Sequence, residues 1–284
     1  MLWFGRQAKD KGSAGRDDIP PASLEVQFDK DIAQSKLDGL LKELGERGGL
    51  EPYLEALKLK HELFLKALPE DRPAEISRET FNTLLSSIFP ARRKLAETLG
   101  HMDDATLARV IGDLIYGEGV IEERIQAFCE LVPKDEKKPR RAMWDLAAEL
   151  LHFRAPERIP LMTRWVWDAN TTSGALREFL RGNDALREIP LDTRPGTFQA
   201  SRAWFGEFLA ERGFYRDLPF LVDMLLAQAY ADYVKAMSAG IGMVDAEFGG
   251  RGDPLELVLK LLGIDPRARD VKDAHASADE PTIH

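Results

Sequence analysis

The stretch LEPYLEALKLKHELFLKAL, residues 50–68, places Leu50, Leu54, Leu57, His61, Phe64 and Leu68 at alternating spacings of four and three. At about 3.6 residues per turn those positions share one helical face, and that apolar face has to be covered by another element. Nearly every readable segment repeats this period, and no run of short β-branched strands with hairpin signals interrupts it. The expected fold class is all-α: an irregular multi-helix globular domain of about nine to eleven helices, divisible into two helical subdomains. A chain of 284 residues with 44% hydrophobic content has enough apolar material for such a core.

Punctuation residues divide the helical pattern. ISRETFNTLLSSIF gathers Phe81, Leu84, Leu85 and Ile88, and Pro90 is expected to kink or end that helix before the next runs to Gly100. Asp103 or Asp104 is positioned to cap DDATLARVIGDLIY, and Gly117 and Gly119 break the chain before VIEERIQAFCELV. PKDEKKPRR reads as a charged linker, followed by the amphipathic RRAMWDLAAELLHF. GALREFLRG and NDALREIP read as short helical turns, with Thr197 expected to cap SRAWFGEFLAERG. LPFLVDMLLAQAYA heads the most apolar helix, and Asp253-Pro254 opens a last one. The expected organisation is a flexible segment over 1–24, helical regions over 25–132 and 142–264, the linker over 133–141 and a disordered tail over 265–284. Within the first segment, Leu2, Trp3 and Phe4 form an apolar patch suited to a tethered docking peptide.

Charge and cysteine content narrow the function. The formal net charge of −9 argues against generic nucleic-acid binding. The distribution is uneven: residues 134–216 hold 15 basic and 12 acidic side chains, a net +3, between flanks of −6 each. A single cysteine, Cys129, rules out an internal disulfide framework. The first four residues give way to Gly5-Arg6 too soon for a secretory core, and no apolar run reaches spanning length, so the expected address is cytoplasmic without membrane insertion.

Most local catalytic signatures are missing. Glu149 and His152 have the Glu-x-x-His spacing of carboxylate-bridged metal bundles, but no second copy exists; His152 is expected to pack in the core, with a neighbour such as Glu149 satisfying its nitrogen. His61 lies on the apolar stripe of its helix and reads as a core histidine with one hydrogen-bond partner. Cys129 shares a stripe with Ile121, Ile125, Phe128 and Val132 and is a poor nucleophile candidate. GEGVIEE and GIGMVD lack the third glycine of a dinucleotide loop, and no Walker-type loop, His-Glu-x-x-His or Gly-x-Ser-x-Gly is present. Neither a cofactor nor a metal is expected.

The segment from Arg154 to Glu178 concentrates the remaining candidates. Arg154, Arg158 and Arg164 flank Trp165 and Trp167, a pairing of residue types enriched at interface hot spots. Two residues apart in a helix, the tryptophans would diverge by about 200°, so one is expected near the surface or against a second layer. Arg164 and Asp168 have the i, i+4 spacing of a helical ion pair, and Thr172 or Ser173 is placed to cap the following helix. Arg154, Arg158, Arg164, Trp165, Trp167 and Asp168 are thus the candidate binding surface, weighed against a purely architectural role.

LIYGEGVIEERIQAF followed by LLHFRAPERIPLMTRWVWD resembles the cadence of helical DNA-repair glycosylases and related helix-hairpin-helix proteins, in which a proline-containing turn after a buried helix precedes an aspartate. The resemblance spans about a fifth of the chain, with no Gly-x-Gly hairpin with flanking hydrophobics preceding it and no lysine at the nucleophile position. It implies a nucleic-acid ligand, with Asp168 as a catalytic carboxylate and Arg154, Arg158 and Arg164 as phosphate contacts. The leading expectation is different: a protein-binding adaptor or assembly factor without its own catalytic centre, with nucleic-acid binding or processing as the alternative.

Overall fold

The computed structural model describes residues 17–69, 76–241 and 253–265. Among these residues the structure is all-α, with ten helices, no strand and 64% helix. In chain order the helices are α1 (Lys30–Gly45), α2 (Glu51–Ala67), α3 (Arg78–Ser86), α4 (Phe89–Gly100), α5 (Asp104–Tyr116), α6 (Ile121–Cys129), α7 (Lys137–Arg154), α8 (Pro195–Ala210), α9 (Leu218–Ile241) and α10 (Pro254–Leu262). Short 3₁₀ turns at Ala175–Phe179 and Asn183–Ala185 lie between α7 and α8.

Helix starts follow local chemistry. The carboxylate of Asp29 accepts from the backbone N–H of Asp31 and Ile32, Ser77 accepts from Thr80, and Asp103 from Thr106, each satisfying amides that a helix leaves open at its start. Asp253 caps α10 and Pro254 opens it, as expected. Of the two roles expected for Pro90, a kink or a helix end, the structure has the break: α3 ends at Ser86, and Pro90 lies in the first turn of α4, which runs to Gly100 and where its missing N–H costs nothing. One expectation is corrected: Thr197 is not a cap, since α8 already begins at Pro195 and the Thr197 hydroxyl donates to Asp192.

Helix α7 is the central element. From Ala142 to Arg154 every residue except Trp144 is buried, and α2, α4, α5 and α6 all pack against it. The residues expected to form a linker contribute to this helix, because 137–141 are its first turns. One contiguous apolar core runs from Phe28 through Leu57, Phe153 and Leu225 to Leu262, so the chain is not divided at 133–141. The segment expected to be flexible is also corrected from residue 17 onward. Asp17 pairs with the buried Arg124 and lies 3.6 Å from Arg154, Ala22 donates to the Gly196 carbonyl, and Phe28 packs on Trp204 and Phe205. Leu2, Trp3, Phe4 and the tail beyond Asp265 lie outside the described residues.

A helix buried all round normally carries only apolar side chains, yet α7 holds Asp145, Glu149 and His152 at spacings of four and three. Each finds a partner on a different element. Lys60 of α2 meets Glu149 at 3.0 Å, Arg164 meets Asp145, and Asp223 of α9 meets His152 at 2.8 Å. His152 therefore uses Asp223 and the Ile159 carbonyl, not Glu149: Nδ1 lies 2.8 Å from the Ile159 oxygen and Nε2 2.8 Å from Asp223 Oδ2. Lys60 also donates to the carbonyls of Ser87 and Leu262, tying the ends of α3 and α10 to α2, and its ammonium lies 3.7 Å from the Phe153 ring centre. Gly263, at φ +63°, ends α10 against the Ser87 carbonyl, where a Cβ would collide. His61 is half-buried and donates to the Phe153 carbonyl at 2.7 Å, the single partner expected.

Burial pushes the Glu149 carboxyl up from 4.5 to about 7, against the opposing pull of Lys60 and His152 and with help from Asp145. A raised folded-state value means that the folded chain keeps a proton the unfolded chain has released. This contribution to stability is therefore full below pH 4.5 and is lost as pH rises to about 7. Urea unfolding at pH 5 and pH 7.5 is expected to show a loss on the order of 3 kcal/mol from this group, absent in Glu149→Gln. Equal pH slopes for the two proteins would contradict that assignment.

Candidate functional site: a basic cleft at the amino end of α7

Residues 158–174 pass from the end of α7 across its amino-terminal half without forming an α-helix. The angular argument about Trp165 and Trp167 therefore does not apply, because it needs helical geometry. Both indoles are buried. Trp165 lies 6.1 Å from Tyr230, and Trp167, only 1% exposed, donates its indole N–H to the Leu191 carbonyl at 3.1 Å. Arg164 pairs with Asp145, not Asp168: its Nε and Nη2 lie 3.2 and 2.6 Å from Oδ2, and its backbone N–H donates to Oδ1 at 2.9 Å. Asp168 instead closes a turn, accepting from the Asn170 amide and exchanging backbone bonds with Ser173. Neither Thr172 nor Ser173 caps the turn that follows; Gly174, at φ +129°, enters it where a Cβ would collide with the Val166 carbonyl. Thr172 adopts φ +50°, unusual for a β-branched residue.

This turn, α6 and the start of α7 enclose a cleft of about 390 Å³, a size typical of ligand sites. Lys134, Lys137, Arg140, Arg141 and Arg164 line it, with Glu122 and Asp168 as its only carboxylates, and Trp144, Trp167 and Cys129 contribute apolar wall. Trp144 is half-buried and anchored by its indole N–H to the Met162 carbonyl at 2.7 Å. Arg140 donates from Nη1 to the Val132 carbonyl, while Lys134, Lys137 and Arg141 are exposed and form no ion pair among the described residues. Burial raises the Asp145 carboxyl, and the adjacent Arg164 charge and its hydrogen bonds oppose that rise.

The six residues singled out from the sequence separate. Arg164, Trp167 and Asp168 line the cleft; Arg154 and Trp165 are core, and Arg158 is half-buried away from the cleft wall. Arg154 is 3% exposed, with its guanidinium on the Leu68 carbonyl and beside Asp17. The glycosylase-like cadence does not assemble the site it implies: of its three arginines only Arg164 reaches the cleft, and Asp168 is spent on its own turn. The residues missed are Lys134, Lys137, Arg140, Arg141 and Trp144, taken for a linker and an ordinary amphipathic helix. Lys137, Arg141 and Trp144, at spacings of four and three, would have marked one basic and aromatic helix face. No family model, curated protein or solved structure matches the chain. Among the described residues no helix is long and apolar enough to cross a membrane, and no cluster of histidine, cysteine and carboxylate has metal-binding geometry.

Although Cys129 lies on the cleft wall, burial pushes its thiol up to about 12. The thiolate is the reactive form, so at pH 8 only about one molecule in ten thousand carries it. A thiol reagent such as iodoacetamide is expected to label the native protein orders of magnitude more slowly than the urea-unfolded chain. Labelling of native protein at the rate of a free thiol would show that Cys129 is an activated nucleophile.

Proposed function

We propose that the protein acts by binding another protein, as an adaptor or assembly factor, and that it takes an acidic segment of the partner into the cleft at the amino end of α7. The observation that carries this reading is the cleft's charge. Among the described residues five basic and two acidic side chains line it, and with Asp145 paired to Arg164 the local charge is +2 in a chain of formal charge −9. Such a cluster attracts an anionic segment and orients it on approach. Nucleic acid fits less well. Single strands are held along extended basic tracks with aromatic faces open for stacking, whereas here Trp167 is buried and Trp144 half-buried with its indole N–H tied to a carbonyl.

Trp144 and Trp167 line the cleft, so occupancy can be read from intrinsic fluorescence. Titration with an Asp/Glu-rich peptide at about 50 mM salt is expected to give a saturable change that weakens as salt rises. Lys137→Glu with Arg141→Glu reverses two exposed charges and is expected to weaken binding about tenfold or more while leaving stability within about 0.5 kcal/mol. No saturable change, or affinity unaffected by the double substitution, would refute the proposal. Tighter binding of an oligonucleotide of equal charge would favour nucleic acid instead.

A further inference from the structure

The cleft's chemistry can be narrowed beyond charge, on the reading that it takes an acidic segment. Two of its cations are fixed in ways the others are not. Arg164 is clamped by Asp145 through Nε, Nη2 and its own backbone N–H, and Asp145 is itself immobile in the buried face of α7. That clamp uses one edge of the guanidinium. Nη1 has no hydrogen-bond partner among the described residues and is not among the buried unpartnered atoms, so it reaches solvent on the cleft side. Arg140, also in the lining, is pinned by Nη1 on the Val132 carbonyl at 3.0 Å, which leaves Nε and Nη2 without a hydrogen-bond partner among the described residues.

Two planar guanidinium groups held before any ligand arrives lose little freedom on binding, and their donors suit an anion with several oxygens in different directions. A carboxylate offers one charge and two coplanar oxygens. A phosphomonoester offers about −1.5 to −2 and three acceptor oxygens, enough for both forks while the mobile Lys137 and Arg141 add charge at the rim. We propose that the cleft recognises a phosphorylated serine or threonine side chain within the partner's acidic segment, with Arg140 and Arg164 as the fixed donors.

The experiment is a fluorescence titration with three peptides of sequence Gly-Asp-Glu-X-Glu-Asp-Gly, where X is phosphoserine, glutamate or alanine, alongside inorganic phosphate alone and a short oligonucleotide. The phosphopeptide is expected to bind about tenfold or more tighter than the glutamate peptide. Arg140→Lys, which keeps the charge and loses only the fork, is expected to weaken the phosphopeptide more than the glutamate peptide and so narrow that ratio to about threefold or less. Arg164→Lys is expected to do the same, with circular dichroism showing the fold intact; because Arg140 is pinned only to a carbonyl, its variant tests the proposal independently of folding.

Equal affinity for phosphoserine and glutamate peptides would overturn phosphate recognition and leave the acidic-segment reading standing. Absence of binding by all three peptides would overturn both. Inorganic phosphate or the oligonucleotide binding as tightly as the phosphopeptide would assign the cleft to those ligands and overturn the proposal.

Discussion

Three elements around α7 are tied to it by the need to neutralise ionisable groups on a helix with no solvent-facing side over most of its length. Asp145, Glu149 and His152 lie on it at 2%, 1% and 0% exposure, where an unpaired charge would cost several kcal/mol. Lys60 arrives from α2, Arg164 from the turn after α7 and Asp223 from α9. Helices that could slide on an apolar interface are thereby held in one register, because displacement would separate a buried pair. Lys60 extends the constraint outward, since its other two hydrogen bonds go to the ends of α3 and α10.

The cleft is a consequence of the same pairing. Asp145 draws Arg164 back along α7, and the chain from Thr163 to Asp168 has to follow it, with Trp167 filling the core and Asp168 closing the return toward Ser173. That path leaves a concavity between α6, the first turns of α7 and the turn itself. Lys137 and Arg141 on the first, exposed turns of α7 line it, with Arg140 and Arg164. One guanidinium thus serves the fold through one edge and faces a ligand through the other.

The fold class was legible because it rests on periodicity, which each helix carries locally: Leu54, Leu57, Phe64 and Leu68 line up without knowledge of any partner. Caps at Asp103 and Asp253 were legible for the same reason. What failed depended on partners remote in sequence. Arg164 had a carboxylate at the ideal helical spacing in Asp168, yet it pairs across 19 positions with Asp145, because the turn is not helical and Asp145 is buried with greater need of a counter-charge. His152 pairs across 71 positions with Asp223. PKDEKKPRR looked like a linker by composition alone, although its last five residues continue in phase with the helix that follows. The Arg/Trp segment drew attention for its residue types, but tryptophan and arginine are as useful inside a core as on a surface, and only Arg164, Trp167 and Asp168 reach the cleft.

The most direct test of this account is a double-mutant cycle on the buried pair at its centre, Lys60→Met and Glu149→Leu, followed by urea unfolding at neutral pH. Each single substitution leaves a buried group without its partner and is predicted to cost about 3–5 kcal/mol, whereas the double variant, with an apolar contact in place of the pair, is predicted to recover at least about 2 kcal/mol of the summed loss. Additive costs, with no recovery in the double variant, would show that the register of α7 does not depend on this pairing.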